Sequence, residues 1–402
     1  MIRCLACGLV LTLTASPASR ADDATPTTAA ASPPPIVVEK FAYKGTFDGV
    51  EPLYALIAYP REGHKLPLIV CMHGYSETAG RYIRTFKPLA GEGWFVACVE
   101  MRGRGGSAGR HDSGGLEIHD IYDAVEALKR RFPGKIDPTR VGLQGWSGGG
   151  GNAYSCMVKL PDTFNMIASF FGIASHKSWQ EMLDKQNPRY PGPAHRLGAR
   201  PDAAPDRYLA REAPLGAHNN PYSRIFLFND EQEPTCRPVM CRAYKKAADA
   251  AGLTNVTLTI SKPGDRTRYR HGSSWGNLAA ANTMILEPLK AGRFGPVEIQ
   301  DTATLTVLGF VVTRKFAIYC GSGEDAVADV AYRIEGDRLR FAAKARSAEA
   351  DRPLTIRPPV DRWSTIVSAT VDGQPVAVTR QGAFHQVVAP SLNATVEIVT
   401  AE

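Results

Sequence analysis

The feature that most constrains the fold is a serine set between glycines at the end of a short apolar segment. Residues 145–149 read GWSGG, after the strand-like run 141–144 and before a helix-compatible segment at 152–160. A serine at the end of a strand sits in a strained turn, and small neighbours let the chain pass close to it. We predict that Ser147 is a nucleophile. The alternative is a glycine-rich surface turn without chemistry.

Strand-like and helix-like segments alternate between residues 36 and 295. Apolar runs typical of buried parallel strands lie at 68–72, 94–99, 141–143, 166–171, 225–228 and 256–260. Helix-like stretches lie at 121–131, 239–251 and 278–290. This alternation predicts an α/β sheet with crossover helices over residues 36–295.

The pattern changes after residue 295 to short alternating runs without a helical period. These runs lie at 304–312, 330–334, 339–343, 376–379 and 395–399. Turn signals occur at 336–337 and 372–373. We therefore predict a separate β-sandwich domain over residues 296–402.

The N-terminus resembles a removable secretory signal. Arg3 precedes an apolar stretch at 4–14 that is too short to span a bilayer, and small residues follow as far as Ala21. We expect a signal peptide at 1–21, a flexible leader rich in Ala, Thr and Pro at 22–35, and a secreted or periplasmic protein without a membrane span. The formal charge of +7 is scattered without a Lys/Arg block, which argues against nucleic-acid binding.

Six cysteines follow the signal segment, and an even number permits disulfides in an exported chain. We predict a disulfide between Cys236 and Cys241, with two free thiols as an equally weighted alternative. Cys71 and Cys98 lie on predicted neighbouring strands and are expected to be buried and reduced. The pairs at 111–112 and 119–120 are His-Asp dipeptides without a third ligand, so no metal or other cofactor is expected.

Four motifs carry a resemblance to a known superfamily. They are HGY at 73–75, RGRGGS at 102–107, DPTRVG at 137–142 leading into GWS at 145–147, and His271. Over roughly residues 36–293 the chain resembles the α/β-hydrolases. It is similar to the branch that contains dipeptidyl-peptidase and prolyl-oligopeptidase catalytic domains, acetyl xylan esterases and cutinase-like polyesterases. The resemblance implies an α/β-hydrolase fold with serine, acid and histidine in that order along the chain.

The resemblance also assigns roles to particular residues. Of the nine histidines, His271 alone lies in the loop directly after the last predicted strand of the sheet, which makes it the expected base. Laying the family motif H-G-x-x-D-P on residues 229–234 puts Glu233 at the acid, with Asp230 as second choice and Glu231 behind them. The backbone N–H groups of Tyr75 and Gly148 are the expected oxyanion donors, and the Tyr75 ring is expected to line the acyl pocket.

A Pro-, Arg- and Ala-rich insertion at 172–223 falls where hydrolases often carry a cap over the site. Three aromatic residues in it, Trp179, Tyr190 and Tyr208, either contact substrate or hold the cap to the body. The sequence departs from the peptidases of the group at Gly148, where they have Tyr. They also carry a large N-terminal propeller, for which the residues before the first hydrolase strand leave no room.

Together these features predict a secreted serine hydrolase that cleaves carboxylic esters through an acyl-enzyme. Acylated polysaccharide or polyester, and therefore a polymeric ester, is the expected substrate. A serine peptidase of the prolyl-oligopeptidase-like group is one alternative. A non-catalytic binding protein on a hydrolase fold is the other.

Overall fold

The computed structural model describes residues 35–186, 192–273 and 279–401. The predicted signal peptide, nearly all of the predicted leader, and Tyr190 lie outside the described residues. Within the described ranges, no helix is both long enough and apolar enough to cross a lipid bilayer.

A mostly parallel eight-stranded sheet forms the first layer, as the alternating pattern predicts. Its strands are β1 (Ile36–Tyr43), β2 (Leu53–Pro60), β3 (Leu66–Met72), β4 (Phe95–Val99), β5 (Ile136–Trp146), β6 (Met166–Phe170), β7 (Arg224–Asp230) and β8 (Val256–Ser261). Their order in the sheet is β1-β2-β4-β3-β5-β6-β7-β8. Strand β2 runs antiparallel to both of its neighbours, and the strands from β4 to β8 are parallel. Every residue of β3, β4 and β6 is buried, which explains their continuous apolar runs.

Helices connect these strands and cover the sheet. They are α1 (Ala79–Phe86), α2 (Pro88–Gly91), α3 (Leu116–Arg131), α4 (Gly148–Lys159), α5 (His176–Gln186), α6 (Ala194–Leu197), α7 (Pro205–Leu209), a 3-10 helix (Ala213–Asn219), α8 (Pro238–Ala250) and α9 (Ala279–Lys290). Helices α5 to α7 and the 3-10 helix belong to the predicted cap-like insertion.

The helix-compatible segment at 152–160 lies in α4, which begins four residues earlier, at Gly148, directly after Ser147. Glycine is a poor helix former, so the run at 148–151 argues against a helix on propensity alone. Close packing overrides that preference. A Cβ on Gly149 would lie 2.2 Å from the Met72 carbonyl oxygen, and one on Gly150 would lie 2.7 Å from the Gly172 Cα.

The C-terminal segment forms two antiparallel sheets. Its strands are β9 (Thr302–Leu308), β10 (Phe310–Val312), β11 (Ala317–Cys320), β12 (Val327–Glu335), β13 (Arg338–Ala345), β14 (Leu354–Arg357), β15 (Ile366–Val371), β16 (Gln374–Pro375), β17 (Thr379–Gln381), β18 (Phe384–Ala389) and β19 (Thr395–Thr400). One sheet has the order β10-β11-β14-β18-β17 and the other β16-β15-β19-β13-β12-β9. Because side chains of both sheets share one apolar core, the segment is a β-sandwich.

The predicted strand at 376–379 is wrong, since residues 376–378 connect β16 to β17. Val376 and Val378 pack against the sandwich core from this connection, so their alternation reflects burial without strand pairing. The predicted turn at 336–337 joins β12 to β13, and the one at 372–373 joins β15 to β16.

Strands β10 and β11 connect the sandwich to the α/β sheet through their two faces. Val311, Ile318 and Cys320 point into the sandwich core, whereas Phe310 and Tyr319 belong to the core of the α/β sheet. Since side chains alternate along a strand, both faces of these two short strands are buried.

Ionisable side chains are also buried, or partly buried in the case of Glu324, where α3 and the cap meet the sandwich. We call this group the interface cluster; its members are Arg102, Asp112, Glu117, Asp120, Arg211 and Glu324. Arg102 binds the Asp120 carboxylate through two hydrogen bonds of 2.7 and 2.6 Å. Arg211 donates to the carbonyl oxygen of Ser113 at 2.9 Å and to both the carbonyl and the carboxylate of Glu324. The cluster therefore ties the cap to the sandwich.

All six cysteines after the signal segment are buried free thiols. The predicted Cys236–Cys241 disulfide is therefore absent from the described residues. Cys241 lies in the first turn of α8. Its thiol donates a hydrogen bond to the Pro238 carbonyl of the same helix at 3.0 Å. Cys71 and Cys98 face each other on adjacent strands, as predicted.

Candidate active site

Ser147 lies in a strained turn between β5 and α4. Its backbone has φ 54° and ψ −118°, a conformation that residues other than glycine rarely adopt. Close backbone approach requires the neighbouring glycines, because a Cβ on Gly145 would lie 2.1 Å from the Gly149 carbonyl oxygen. The turn projects the Ser147 hydroxyl from the end of the sheet, as the GWSGG motif predicts.

His271 contacts both the serine and an acid. Its Nε2 lies 2.8 Å from the Ser147 Oγ, and its Nδ1 lies 2.7 Å from Oε1 of Glu233. The backbone N–H of His271 also donates to Oε2 of Glu233 at 2.8 Å. The ring of Phe171 packs 4.7 Å from the imidazole, so both polar and apolar contacts orient His271.

Glu233 is held as a carboxylate by the loop that carries it. Its Oε1 accepts the backbone N–H groups of Thr235 at 2.7 Å and Cys236 at 2.9 Å. Burial alone would raise the pKa of Glu233, but the hydrogen bond and charge of His271 together with these backbone donors lower it below its usual value. The side chain therefore accepts hydrogen bonds at neutral pH as an anion.

The other two acids of this loop contact different partners. Asp230 forms an ion pair with Arg268, whose Nη2 lies 2.6 Å from Oδ1, and accepts the Ser261 hydroxyl at 2.5 Å. Although burial raises the pKa of Asp230, these donors lower it to about 2. Glu231 is exposed, 3.9 Å from Arg242. The structure thus places Glu233 next to His271, whereas Asp230 and Glu231 contact other residues.

The two residues predicted to supply the oxyanion donors flank Ser147. Gly148 follows it at the start of α4, and Tyr75 lies in the loop after β3. The Tyr75 ring packs so closely that a Cβ on Gly148 would lie 2.3 Å from it. This ring is buried, and its hydroxyl lies 3.3 Å from Nε2 of His176, so it packs under the cap.

Sequence reasoning missed the residues that support the Tyr75 loop. The preceding His73 is fully buried, with its Nε2 2.7 Å from Oε1 of Glu100, the residue directly after β4. Glu100 also accepts the Ala79 N–H at 3.0 Å, where α1 begins. The sequence carries one signal for this contact: His73 follows β3 and Glu100 follows β4. Because the ends of adjacent parallel strands lie side by side, these two residues are expected to be close.

An open cleft of about 430 Å³ gives access to the Ser147 hydroxyl. Among the residues that line it are Trp146, Phe171, Arg270 and His271, together with the Glu77–Arg81 ion pair. In the described residues, no group of three or more His, Cys, Asp or Glu side chains is arranged to hold a metal ion.

Two of the three aromatic residues singled out in the cap hold it in place. Trp179 is buried and donates its indole N–H to the Thr235 carbonyl at 3.1 Å, which joins α5 to the loop that carries Glu233. Tyr208 is also buried and donates to the Ala199 carbonyl at 3.0 Å. Both side chains are therefore structural contacts of the cap.

Comparison with known proteins agrees with this fold. A family model described as "Serine aminopeptidase, S33" matches residues 63–194. Esterase B from Lactobacillus rhamnosis is 15% identical with a TM-score of 0.50, and the match covers 64% of this chain and 87% of that one. None of the curated proteins matches the chain.

Two larger solved structures also match the chain. A candidate dipeptidyl aminopeptidase IV from Bacteroides ovatus is 19% identical with a TM-score of 0.52, and the match covers 63% of this chain but 36% of that one. A puromycin hydrolase mutant complexed with PGG is 19% identical with a TM-score of 0.50, and the match covers 65% of this chain and 40% of that one.

The strand order, the turn at Ser147 and these matches define the class of protein. The chain has the α/β-hydrolase fold. A C-terminal β-sandwich is attached to this fold.

Proposed function

We propose that the chain is an exported carboxylesterase in which Ser147, His271 and Glu233 form the catalytic triad. The observation that carries the proposal is the pair of hydrogen bonds at 2.8 and 2.7 Å that joins the three side chains. Such a chain supplies a nucleophile, a base that accepts its proton and an anion that orients the base.

The reaction proceeds in two halves. Ser147 Oγ attacks the ester carbonyl while Nε2 of His271 takes the hydroxyl proton, and the N–H groups of Tyr75 and Gly148 stabilise the oxyanion. Collapse of the tetrahedral intermediate expels the alcohol, which receives that proton from His271. Water then attacks the acyl-enzyme with His271 again as base, and releases the acid and free Ser147.

Glu233 keeps Nδ1 of His271 as the donor, so that Nε2 is free to accept the serine proton. Its ionised state supports this role, because a carboxylate also stabilises the imidazolium formed during each half reaction. The buried Cys236 thiol does not compete as a nucleophile, because burial and the Glu233 charge raise its pKa and keep it protonated.

Ester substrates are favoured by the departure from the related peptidases at Gly148, where those have Tyr and where the Tyr75 ring fills the adjacent space in this structure. We propose acylated polysaccharide or polyester as the substrate. Peptide hydrolysis is the second candidate, favoured by the match of residues 63–194 to a serine aminopeptidase family model.

The test combines an active-site label with a substrate panel. A fluorophosphonate probe should label the wild-type protein and leave Ser147→Ala unlabelled, since only an activated serine reacts. Absence of labelling in the wild type would favour a binding protein on a hydrolase fold.

The panel compares p-nitrophenyl esters with matched aminoacyl-anilides. We expect kcat/KM to be higher for the esters, and comparable values would favour the peptidase. Export is tested separately by sequencing the N-terminus of the protein secreted from its host, which we expect to begin after Ala18 or Ala21.

A further inference from the structure

A basic pocket lies beside the loop that carries Tyr75. We call it the arginine pocket. It is lined by Arg104, Arg110 and Arg196 together with His111 and His195, and three glycines and Thr78 complete its wall. Its volume is about 810 Å³, larger than the cleft at Ser147.

The three arginines of the pocket lack carboxylate partners among the described residues. Arg104 donates to the Tyr75 carbonyl, and the guanidinium of Arg196 lies over the Tyr75 ring, 4.4 Å from its centroid. Arg110 is exposed at the rim. None of the described lining residues is acidic, so three permanent positive charges converge on one cavity.

The carboxyl groups behind the pocket contact partners other than the three arginines. Glu117 lies 3.5 Å from Nδ1 of His111, but burial and the nearby Asp112 raise the pKa of Glu117 to about 8, so it is mostly protonated at neutral pH. Glu100 lies behind Gly105, where its carboxyl group contacts His73 at 2.7 Å and accepts the Ala79 N–H at 3.0 Å. His111 itself stays neutral, because burial and then Arg196 lower its pKa to about 3.

The arginine pocket and the catalytic cleft adjoin along the Tyr75 loop: Glu77 lines the cleft and Thr78 lines the pocket. The Tyr75 ring packs against Gly148 on one side and contacts Arg196 and His111 on the other, with its centroid 4.8 Å from that of His111. An ester whose carbonyl oxygen is bound by the N–H groups of Tyr75 and Gly148 would extend past Tyr75 toward the arginines. Guanidinium groups bind carboxylates with paired, directional hydrogen bonds.

We propose that the substrate is an acidic ester whose second, anionic group binds in the arginine pocket. This inference rests on the proposed esterase function and adds to it the chemical class of the substrate. The anionic group is a carboxylate on either the acyl or the alcohol part, as in a dicarboxylic acid monoester or an ester of an acidic sugar.

The test compares each acidic ester with its neutral amide. For the acyl part, the pair is mono-p-nitrophenyl glutarate and the p-nitrophenyl ester of glutaric acid monoamide. For the alcohol part, the pair is 4-acetoxybenzoate and 4-acetoxybenzamide. We expect kcat/KM for the acid to exceed that for the amide in at least one pair at low salt, and the preference to weaken as salt is added.

Arg110→Gln is expected to lower the ratio of acid to amide kcat/KM by about fivefold, the upper range for one partly exposed charge pair. Arg84→Gln is the matched control: it removes the same charge from an exposed position on α1 outside the pocket, and should leave the ratio unchanged. A ratio near one in both pairs, or one insensitive to Arg110→Gln, would overturn the proposal.

A binding arm separates this proposal from the esterase function. If neither pair is hydrolysed, the esterase function fails, and Ser147→Ala protein is titrated calorimetrically with monomethyl glutarate. Binding that Arg110→Gln weakens supports the arginine pocket, and absence of binding overturns it. Inorganic phosphate is the competitor: tight phosphate binding with an acid-to-amide ratio near one would mean a site for a free anion, and would overturn the substrate assignment.

Discussion

Two buried glutamates in different regions of the molecule show opposite electrostatic behaviour. Glu233 in the active site and Glu117 in the interface cluster are 3% and 1% exposed. The pKa of Glu233 lies below its ordinary value, whereas that of Glu117 is raised to about 8. Burial of the carboxyl group therefore does not by itself determine whether it is charged.

The difference lies in the donors that surround each carboxyl group. Glu233 accepts three backbone N–H groups and the Nδ1–H of His271. Glu117 accepts the Gly114 N–H at 2.8 Å, while its buried Oε2 has no hydrogen-bond partner among the described residues and Asp112 lies nearby. Backbone donors keep the first carboxylate charged, and the second is more stable when protonated.

Of the changes considered, removal of the active-site nucleophile should have the largest effect, and that effect is on catalysis. Ser147→Ala is expected to lower kcat by about 10⁶ with little change in thermal stability, because the hydroxyl contributes chemistry and little packing. Steady-state ester hydrolysis and a thermal melt measure the two properties. Ser76→Ala, in the same cleft, is the control. Activity of Ser147→Ala within tenfold of wild type would contradict the assignment.

The next effect distinguishes the two acids of one loop. Glu233→Gln should lower kcat by about 10⁴, because the amide favours the wrong imidazole tautomer, while Asp230→Asn should lose much less. Both variants are compared by kcat on the same ester. The reverse result would mean that Asp230 is the acid, and two active variants would place the acid elsewhere.

In the interface cluster the corresponding change affects stability. Arg211→Gln leaves Asp112 and Glu324 without their buried cation and should lower the free energy of unfolding by about 3 to 5 kcal/mol. Urea unfolding measures it. Arg346→Gln, which breaks the partly exposed pair with Asp329, is the control and should cost less than about 1 kcal/mol. Equal losses of unfolding free energy in the two variants would show that burial does not strengthen the Arg211 contacts.

The smallest expected effect is a pH dependence of opposite sign in the two regions. The folded pKa of Asp230, about 2, lies below its ordinary value, so its stabilisation is present above about pH 4 and is lost as the pH falls toward 2. Wild type should lose about 2 kcal/mol relative to Asp230→Asn over that range. Thermal melts of both proteins from pH 2 to 6 measure it, and parallel curves would contradict it.

For Glu117 the folded pKa is raised, so the protonated form is favoured in the folded state. Its contribution is greatest below the ordinary pKa of a glutamate and declines as the pH rises toward about 8. Wild type should therefore become less stable relative to Glu117→Gln between pH 5 and 8. The same melts extended to pH 9 test this, and a wild-type stability that stays constant or rises relative to Glu117→Gln between pH 5 and 8 would contradict it.

Much of the sheet could be predicted from sequence, because its central strands are buried on both faces and read as continuous apolar runs. Strands β3, β4 and β6 were predicted to within one residue at most ends. Short strands such as β11 and β14 were missed, since their four residues each carry too little periodicity. The start of α4 was missed because close packing, which no local pattern reports, overrides the low helix propensity of glycine.

In the candidate site, local motifs identified Ser147, and chain order identified His271 and the acid loop. Motif spacing alone favours Glu233 over Asp230. The structure adds a reason, because Asp230 is paired with Arg268, which lies 38 residues further along the chain. The His73–Glu100 contact and the interface cluster join residues far apart in sequence. Such contacts depend on the folded arrangement, which single-sequence patterns do not contain.

The packing of Tyr75 against Gly148 has an evolutionary consequence. The space beside Gly148 is already filled by the Tyr75 ring, so a bulky residue at 148 is compatible only with a smaller or redirected one at 75. Substitutions at the two positions are therefore epistatic, and their order matters. A lineage moving toward a tyrosine after the serine must first reduce residue 75, and in doing so it gives up the ring on which Arg196 stacks.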